Sequence, residues 1–104
     1  MAKYLLLYEG GSMPENEAAQ AAVMQAWDAW FHQLGAAAAD GGNPFTPASK
    51  RVGPDGSISA GAGPASGYSI IEADSLDTAT DLAKGCPVLA GGASIGVYET
   101  FEVM

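Results

Sequence analysis

The sequence predicts an α+β fold: a ferredoxin-like (split βαβ) subunit with an antiparallel sheet. Three observations carry that expectation. Short apolar runs stand at the start, middle and end of the chain, as "KYLLLYEG", "GYSIIEA" and "SIGVYETFEVM". Two stretches with helical spacing and marked ends lie between them, one opening at "SMPE" and one reading "DSLDTATDLAKGCP". A glycine- and proline-rich middle carries one hairpin signature, "KRVGPDGSIS". The resulting order is β–α–β–hairpin–β–α–β.

Lys3 to Gly10 is too short for a buried helix and reads as a central strand. The first helix is expected to start at Ser12 as cap, with Pro14 in the first turn and Glu15 three residues after the cap, and to stop at Gly35. Helical residues turn by about 100° each. Val23, Trp27, Trp30, Phe31 and Leu34 then share one stripe facing the core. His32 falls on the opposite side, and its i−4 neighbour Asp28 lies on the same polar flank, as in a solvated pair.

Ala36 to Gly42 is expected to form a short strand closing against the first, although its alanines alone favour more helix. Pro54, Asp55 and Gly56 suit successive positions of a type I turn, so Arg51-Val52 pairs with Ser57-Ile58-Ser59. Gly67 to Ala73 is the second clear strand. The second helix has Ser75 as cap, Asp77 in its first turn, Lys84 in its last, then Gly85 and Pro87. Leu76, Ala79, Leu82 and Ala83 form its apolar stripe. In the last strand Ile95, Val97, Phe101 and Val103 share a face with Glu99, while Tyr98, Thr100 and Glu102 take the other. Both helices cover one face of the sheet. The other face carries either Tyr4, Leu6 and Tyr8 or Leu5 and Leu7. Both sets are apolar, so the uncovered face needs a partner, and a homodimer is expected.

The 104 residues correspond to one domain spanning 1–104, and the 48% apolar share is that of a globular chain. Twelve acidic against four basic residues give a net charge of −8, which repels nucleic acid and anionic membranes. The lone Cys86 cannot form an internal disulfide and fits a reducing compartment. Beside Pro87 it reads as a half-buried small residue rather than a nucleophile. The apolar run of "MAKYLLLYEGG" is too short for a signal peptide, and no stretch approaches the roughly 18 apolar residues of a membrane span. A cytoplasmic protein is expected.

Motifs that carry chemistry are scarce. "GASIG" (Gly92 to Gly96) has the nucleophile-elbow spacing, but a helix precedes it, a strand follows it, and the only His lies far upstream. "GAGPASG" (Gly61 to Gly67) precedes a strand instead of opening a helix, so it is no phosphate loop. No cofactor motif is found. One His and one Cys, far apart, make no zinc set, while a magnesium site built of carboxylates alone stays open. "DGGNPF" (Asp40 to Phe45) is the remaining candidate: Asp40 as general base, Asn43 as hydrogen-bond donor, Phe45 as lid. The same residues also make an ordinary polar turn. His32 is the second catalytic candidate, and Tyr4 and Tyr68 join Asn43 and Phe45 as candidate ligand-binding residues.

The segment "GYSIIEADSLDTATDLAKGCPVLAGGASIGVYETFEV" resembles the C-terminal half of YCII-related domain proteins, the group that includes the DGPF-type sequences. "KYLLLYEG" resembles their first strand. The resemblance implies a ferredoxin-like subunit that pairs into a dimeric α/β barrel with a cavity near the dimer interface. It also implies an acid/base pair made by an early-helix His and a later Asp, and the group includes a chlorinated-aromatic dehydrochlorinase. Aligned on Gly35, that His position holds about Val23 or Met24, and "GAGP" stands where DGPF is expected. DGPF-type relatives often accompany alternative sigma factors, which implies a regulatory role. Two readings follow. One is a small homodimer whose cavity binds a small molecule, in a regulatory role. The alternative is a cofactor-independent acid/base enzyme, lyase or dehydrochlorinase-like, using Asp40.

Overall fold

The computed structural model describes residues 1–11, 15–61 and 63–103. Strand β1 (Ala2–Glu9) is central. It pairs antiparallel with β5 (Ala65–Ala73) on one side and β6 (Ser94–Glu99) on the other. The short β2 (Ala38–Asp40) does not close against the first strand as expected, because β5 and β6 occupy both edges of β1; it adds to the outer edge of β5, giving the sheet order β2-β5-β1-β6. With helices α1 (Glu17–Leu34) and α2 (Leu76–Ala83) this is the split βαβ topology. Strands β3 (Lys50–Val52) and β4 (Ile58–Ala60) form a separate two-stranded ribbon inserted between β2 and β5.

The local signals act as the sequence chemistry dictates, with one displaced start. Ser75 accepts a hydrogen bond from the Thr78 amide at 3.1 Å and caps α2. Gly35, at φ 54°, ends α1. The cap of α1 is Asn16, whose side chain accepts from the Ala19 amide at 2.8 Å, not Ser12. Ser12 and Pro14 lie outside the described residues. At the hairpin tip the Gly56 amide donates to the Gly53 carbonyl across Pro54 and Asp55, and Gly56 takes φ 86°. This is the three-residue hairpin loop with a left-handed glycine. The Asp55 carboxylate accepts from the Ser57 amide at 2.9 Å, and its bonds to Ser57 hold its pKa below the usual carboxylate value.

Register decides which of the two apolar sets is covered. Tyr4, Leu6 and Tyr8 lie opposite Ile71, Ser69 and Gly67 of β5, and all six are buried. Trp30 and Leu34 of α1, with Ala79 and Ala83 of α2, pack in the same cluster. Leu5 and Leu7, with Tyr68 and Ile70 opposite, face the side that no helix covers.

Three sequence expectations fail at the margins of this core. Val23 is 39% exposed, because the buried part of α1 begins only at Trp27. Leu76, at the first position of α2, is 47% exposed, and the stripe that reaches the sheet starts at Ala79. The last strand ends at Glu99, opposite Tyr4; one more backbone bond, from the Thr100 amide to the Lys3 carbonyl, ties the chain to β1 before it departs. Phe101 and Val103 then leave the sheet, 83% and 75% exposed.

The subunit is a slab, 43 × 38 × 18 Å. Its accessible surface is 7293 Å², against about 5,400 Å² for a compact monomer of this mass. Its radius of gyration is 15.1 Å, against about 13 Å for a compact domain of this length. One sheet with helices on one side leaves a broad face without a second layer.

Candidate functional site

The open face is built by alternation. Leu5 and Leu7 of β1 stand beside Ile70 and Tyr68 of β5, all half-buried with no layer above them. On β6 the side chain of Tyr98 lies along the same face over Gly96, where an added Cβ would stand 2.8 Å from the ring. The face is therefore aliphatic at its centre and aromatic on two sides.

The segment after β2 forms the rim. Asp40 pairs with Ile70 past a bulge, and its carboxylate accepts the Gly42 amide at 2.8 Å, closing the turn on itself. Gly42 takes φ 71°, and a Cβ there would overlap the Tyr68 carbonyl, so only glycine lets the chain run this close to β5. The segment is then tied along β5: the Tyr68 amide donates to the Asn43 carbonyl at 3.3 Å, and the Phe45 amide to the Ser66 carbonyl at 2.8 Å. This docking stacks the Phe45 ring on Tyr68, with centroids 6.0 Å apart and planes inclined by 28°.

A buried polar relay anchors the rim from the other side. The Tyr8 hydroxyl donates to Ser69 Oγ at 2.6 Å, and Ser69 Oγ donates to the Gly41 carbonyl at 2.7 Å. Burial holds the Tyr8 hydroxyl far above its ordinary pKa, so it stays a donor. Ser69 is 1% exposed and satisfied in both directions. Cys86 packs in the same cluster, and burial raises its thiol pKa.

Beyond Phe45 the chain leads into the β3–β4 ribbon, and the two border a groove of about 600 Å³. Phe45, Ser49, Lys50, Arg51 and Gly61 are among its walls. The Gly61 amide donates to the Ser49 carbonyl at 3.2 Å, and Ser49 Oγ returns a bond to the Gly61 carbonyl at 3.1 Å.

Of the six residues singled out from the sequence, four come together. Asp40, Asn43, Phe45 and Tyr68 share the rim of the open face. Tyr4 does not join them: it is 2% exposed, on the helix-covered side, and its hydroxyl pKa is raised by desolvation and by the Glu99 and Asp74 carboxylates. His32 is exposed on α1, in the helix layer behind the sheet, and makes no ion pair with Asp28. Among the described residues, no three His, Cys, Asp or Glu side chains gather as metal ligands would. Ser69, Lys50 and Arg51 were not among the candidates. Ser69 had a signal, since a polar residue at the period-two position of Ile71 and Ala73 must find a buried partner.

Fold and site together define a small α+β subunit of split βαβ topology with an uncovered apolar face and an aromatic rim. No family model matches the chain, and no curated protein matches it. Among solved structures, the chain is similar to 5-chloro-2-hydroxyhydroquinone dehydrochlorinase (TftG) from Burkholderia phenoliruptrix AC1100, solved in complex with 2,5-dihydroxybenzoquinone. The identity is 19% over 95% of this chain and 93% of that one, with a TM-score of 0.55. At this identity the likeness establishes the fold. No helix among the described residues is long and apolar enough to cross a membrane.

Proposed function

We propose that the protein is a YCII-related homodimer, a dimeric α/β barrel whose cavity binds a small planar molecule, in a regulatory rather than catalytic role. The observation that carries this reading is the uncovered sheet face with Leu5, Leu7, Ile70 and Tyr68 on it. A second copy supplies the missing layer, since packed sheets stand about 10 Å apart and bury each other's apolar face. The Phe45–Tyr68 stack offers a third ring a flat surface, a contact worth about 0.5–1.5 kcal/mol beyond its buried area. The neighbour's complex with 2,5-dihydroxybenzoquinone supports a ring-shaped ligand.

A second reading, an acid/base enzyme of lyase or dehydrochlorinase type using Asp40, is favoured by one observation: Asp40 sits at the rim, paired with Ile70 of the open face. Light scattering with isothermal titration of 2,5-dihydroxybenzamide, a neutral ring, tests the first reading. The expected result is a species of twice the 10.5 kDa subunit mass that binds the ring. Binding should be lost on Tyr68→Ala. A lone 10.5 kDa species at micromolar concentration would overturn it.

A further inference from the structure

In a chain with twelve acidic and four basic side chains, a cation is expected to find a carboxylate. Lys84 does, with Asp81 at 3.2 Å. Lys3, Lys50 and Arg51 do not: among the described residues none of the three forms an ion pair. Lys50 and Arg51 line the groove beside Phe45, and no carboxylate is among its described lining residues. Two of the chain's four cationic residues are thus among the lining of one concave site.

The groove is a built feature. The reciprocal Ser49–Gly61 bonds close its base, and a Cβ at Gly61 would overlap the Ser49 backbone. Phe45 is fixed by its amide bond to Ser66 and by its stack on Tyr68 of the open face, and it also lines the groove. Among the described residues the ribbon pairs with no other strand, and Val52 and Ile58 are 68% and 67% exposed. A two-stranded ribbon alone is marginal in water, so an occupant of the groove would steady it.

We propose that the groove is an anion-binding subsite for the ligand of the open face. The ligand is an aromatic acid: its ring lies against Phe45, and its carboxylate, or an equally acidic enolic hydroxyl, is held by Lys50 and Arg51. This rests on the reading that a ring binds at Phe45 and Tyr68. Charge-assisted hydrogen bonds from Lys and Arg to a carboxylate are stronger than neutral ones. The net charge of −8 does not prevent this, because bulk repulsion is screened beyond about 8–10 Å at ordinary ionic strength. Within that distance the groove's own lining dominates.

The test compares 2,5-dihydroxybenzoate with its neutral amide, 2,5-dihydroxybenzamide, by calorimetry on the full chain. The acid should bind about tenfold tighter, as one or two charge-assisted bonds allow, and the preference should shrink in added salt. Lys50→Met with Arg51→Met should abolish the preference, the acid losing about tenfold more affinity than the amide. Both positions are exposed, and circular dichroism checks that the pair of substitutions preserves the fold. If it does not, the preference of the unaltered protein and its salt dependence still decide. Equal affinity for acid and amide overturns the anion subsite while leaving the aromatic reading intact. A preference that persists in the folded double variant also overturns it. Displacement of the acid by inorganic phosphate at equal concentration shows that the ring plays no part and overturns the aromatic-acid assignment. Binding of neither probe overturns this proposal together with the reading it rests on.

Discussion

Gly42→Ala tests how the rim is held, and its effect can be worked from the structure. At φ 71° an alanine pays about 1–2 kcal/mol for left-handed backbone alone. The added methyl also overlaps the Tyr68 carbonyl and comes 3.1 Å from Ser69 Cα, both in the backbone of β5. That strand is paired on both sides and cannot yield, so the rim segment must lift. Lifting breaks the Tyr68–Asn43 backbone bond, worth about 0.5–1.5 kcal/mol, and separates Phe45 from Tyr68, worth a similar amount. The expected destabilisation is about 3–4 kcal/mol from these contributions together. Gly56→Ala is the control: Gly56 also has positive φ, at 86°, but a Cβ there meets nothing within 4 Å. It should lose only the conformational part, about 1–2 kcal/mol. Urea melts at one fixed protein concentration measure both, with the slope m unchanged. If Gly42→Ala costs no more than Gly56→Ala, the close approach of the rim to β5 is wrong, and with it the stacked Phe45–Tyr68 wall.

Trp30→Ala should destabilise by about 3–5 kcal/mol, since it empties a buried site and removes the indole bond to the Leu82 carbonyl; a loss under about 1 kcal/mol in denaturant melts would mean the ring lines a cavity or a surface. His32→Ala should change stability by no more than about 1 kcal/mol and leave ligand titrations unaltered, because the side chain is exposed in the helix layer. If a turnover is found, Asp40→Asn should cut it about 10²-fold with the fold intact, because Asn keeps an acceptor for the Gly42 amide; full activity would remove Asp40 from the chemistry. Cys86 should react with iodoacetamide far more slowly in the native protein than in urea. Its raised thiol pKa gives a stability contribution that is complete below the unfolded thiol value and is lost as pH rises through the folded one.

What the sequence revealed follows the range of the interactions involved. Ser75, Gly35 and the Gly53–Ser57 turn act within four residues of themselves, so their identities announce the elements they bound. The short apolar runs "KYLLLYEG" and "GYSIIEA" gave two strands, which pair with each other in register over most of their length. Which face was covered was not legible. Leu5 and Leu7 are as apolar as Tyr4, Leu6 and Tyr8, and only the helices' packing distinguishes them. The exposed Val23 and Phe101 mislead for the same reason: each continues a correct pattern past the point where tertiary partners run out. Asn16 displaced Ser12 because both are good caps and the helix needs one. At the candidate site, "DGGNPF" was visible as polar turn chemistry, but its docking on Tyr68 spans more than twenty residues and leaves no local trace. Lys50 and Arg51 read only as part of the hairpin signature, and it is the ribbon's fold that makes them line a groove with Phe45.

The balance between binding and catalysis turns on what surrounds Asp40. A general base works near neutral pH when burial or a neighbouring charge tunes it and when its lone pairs face the substrate. One Asp40 oxygen is engaged by the Gly42 amide of its own turn, the residue is exposed, and no ion pair reaches it. His32, the other titratable candidate, is in the layer behind the sheet, so the two do not form a relay across one cavity. The rim itself carries an aromatic stack, Phe45 on Tyr68, with Lys50 and Arg51 in the groove beside it; the proposed recognition of a planar anion asks nothing more of these groups than binding. A second subunit would alter that balance in one way: by closing over the open face it would take Asp40 out of bulk water, where electrostatic interactions within a site strengthen. The oligomeric state therefore bears directly on the chemistry. A chain that stays monomeric leaves Asp40 exposed as a turn residue. A chain that closes into a barrel gives that carboxylate the one environment in which the enzymatic reading becomes physically reasonable.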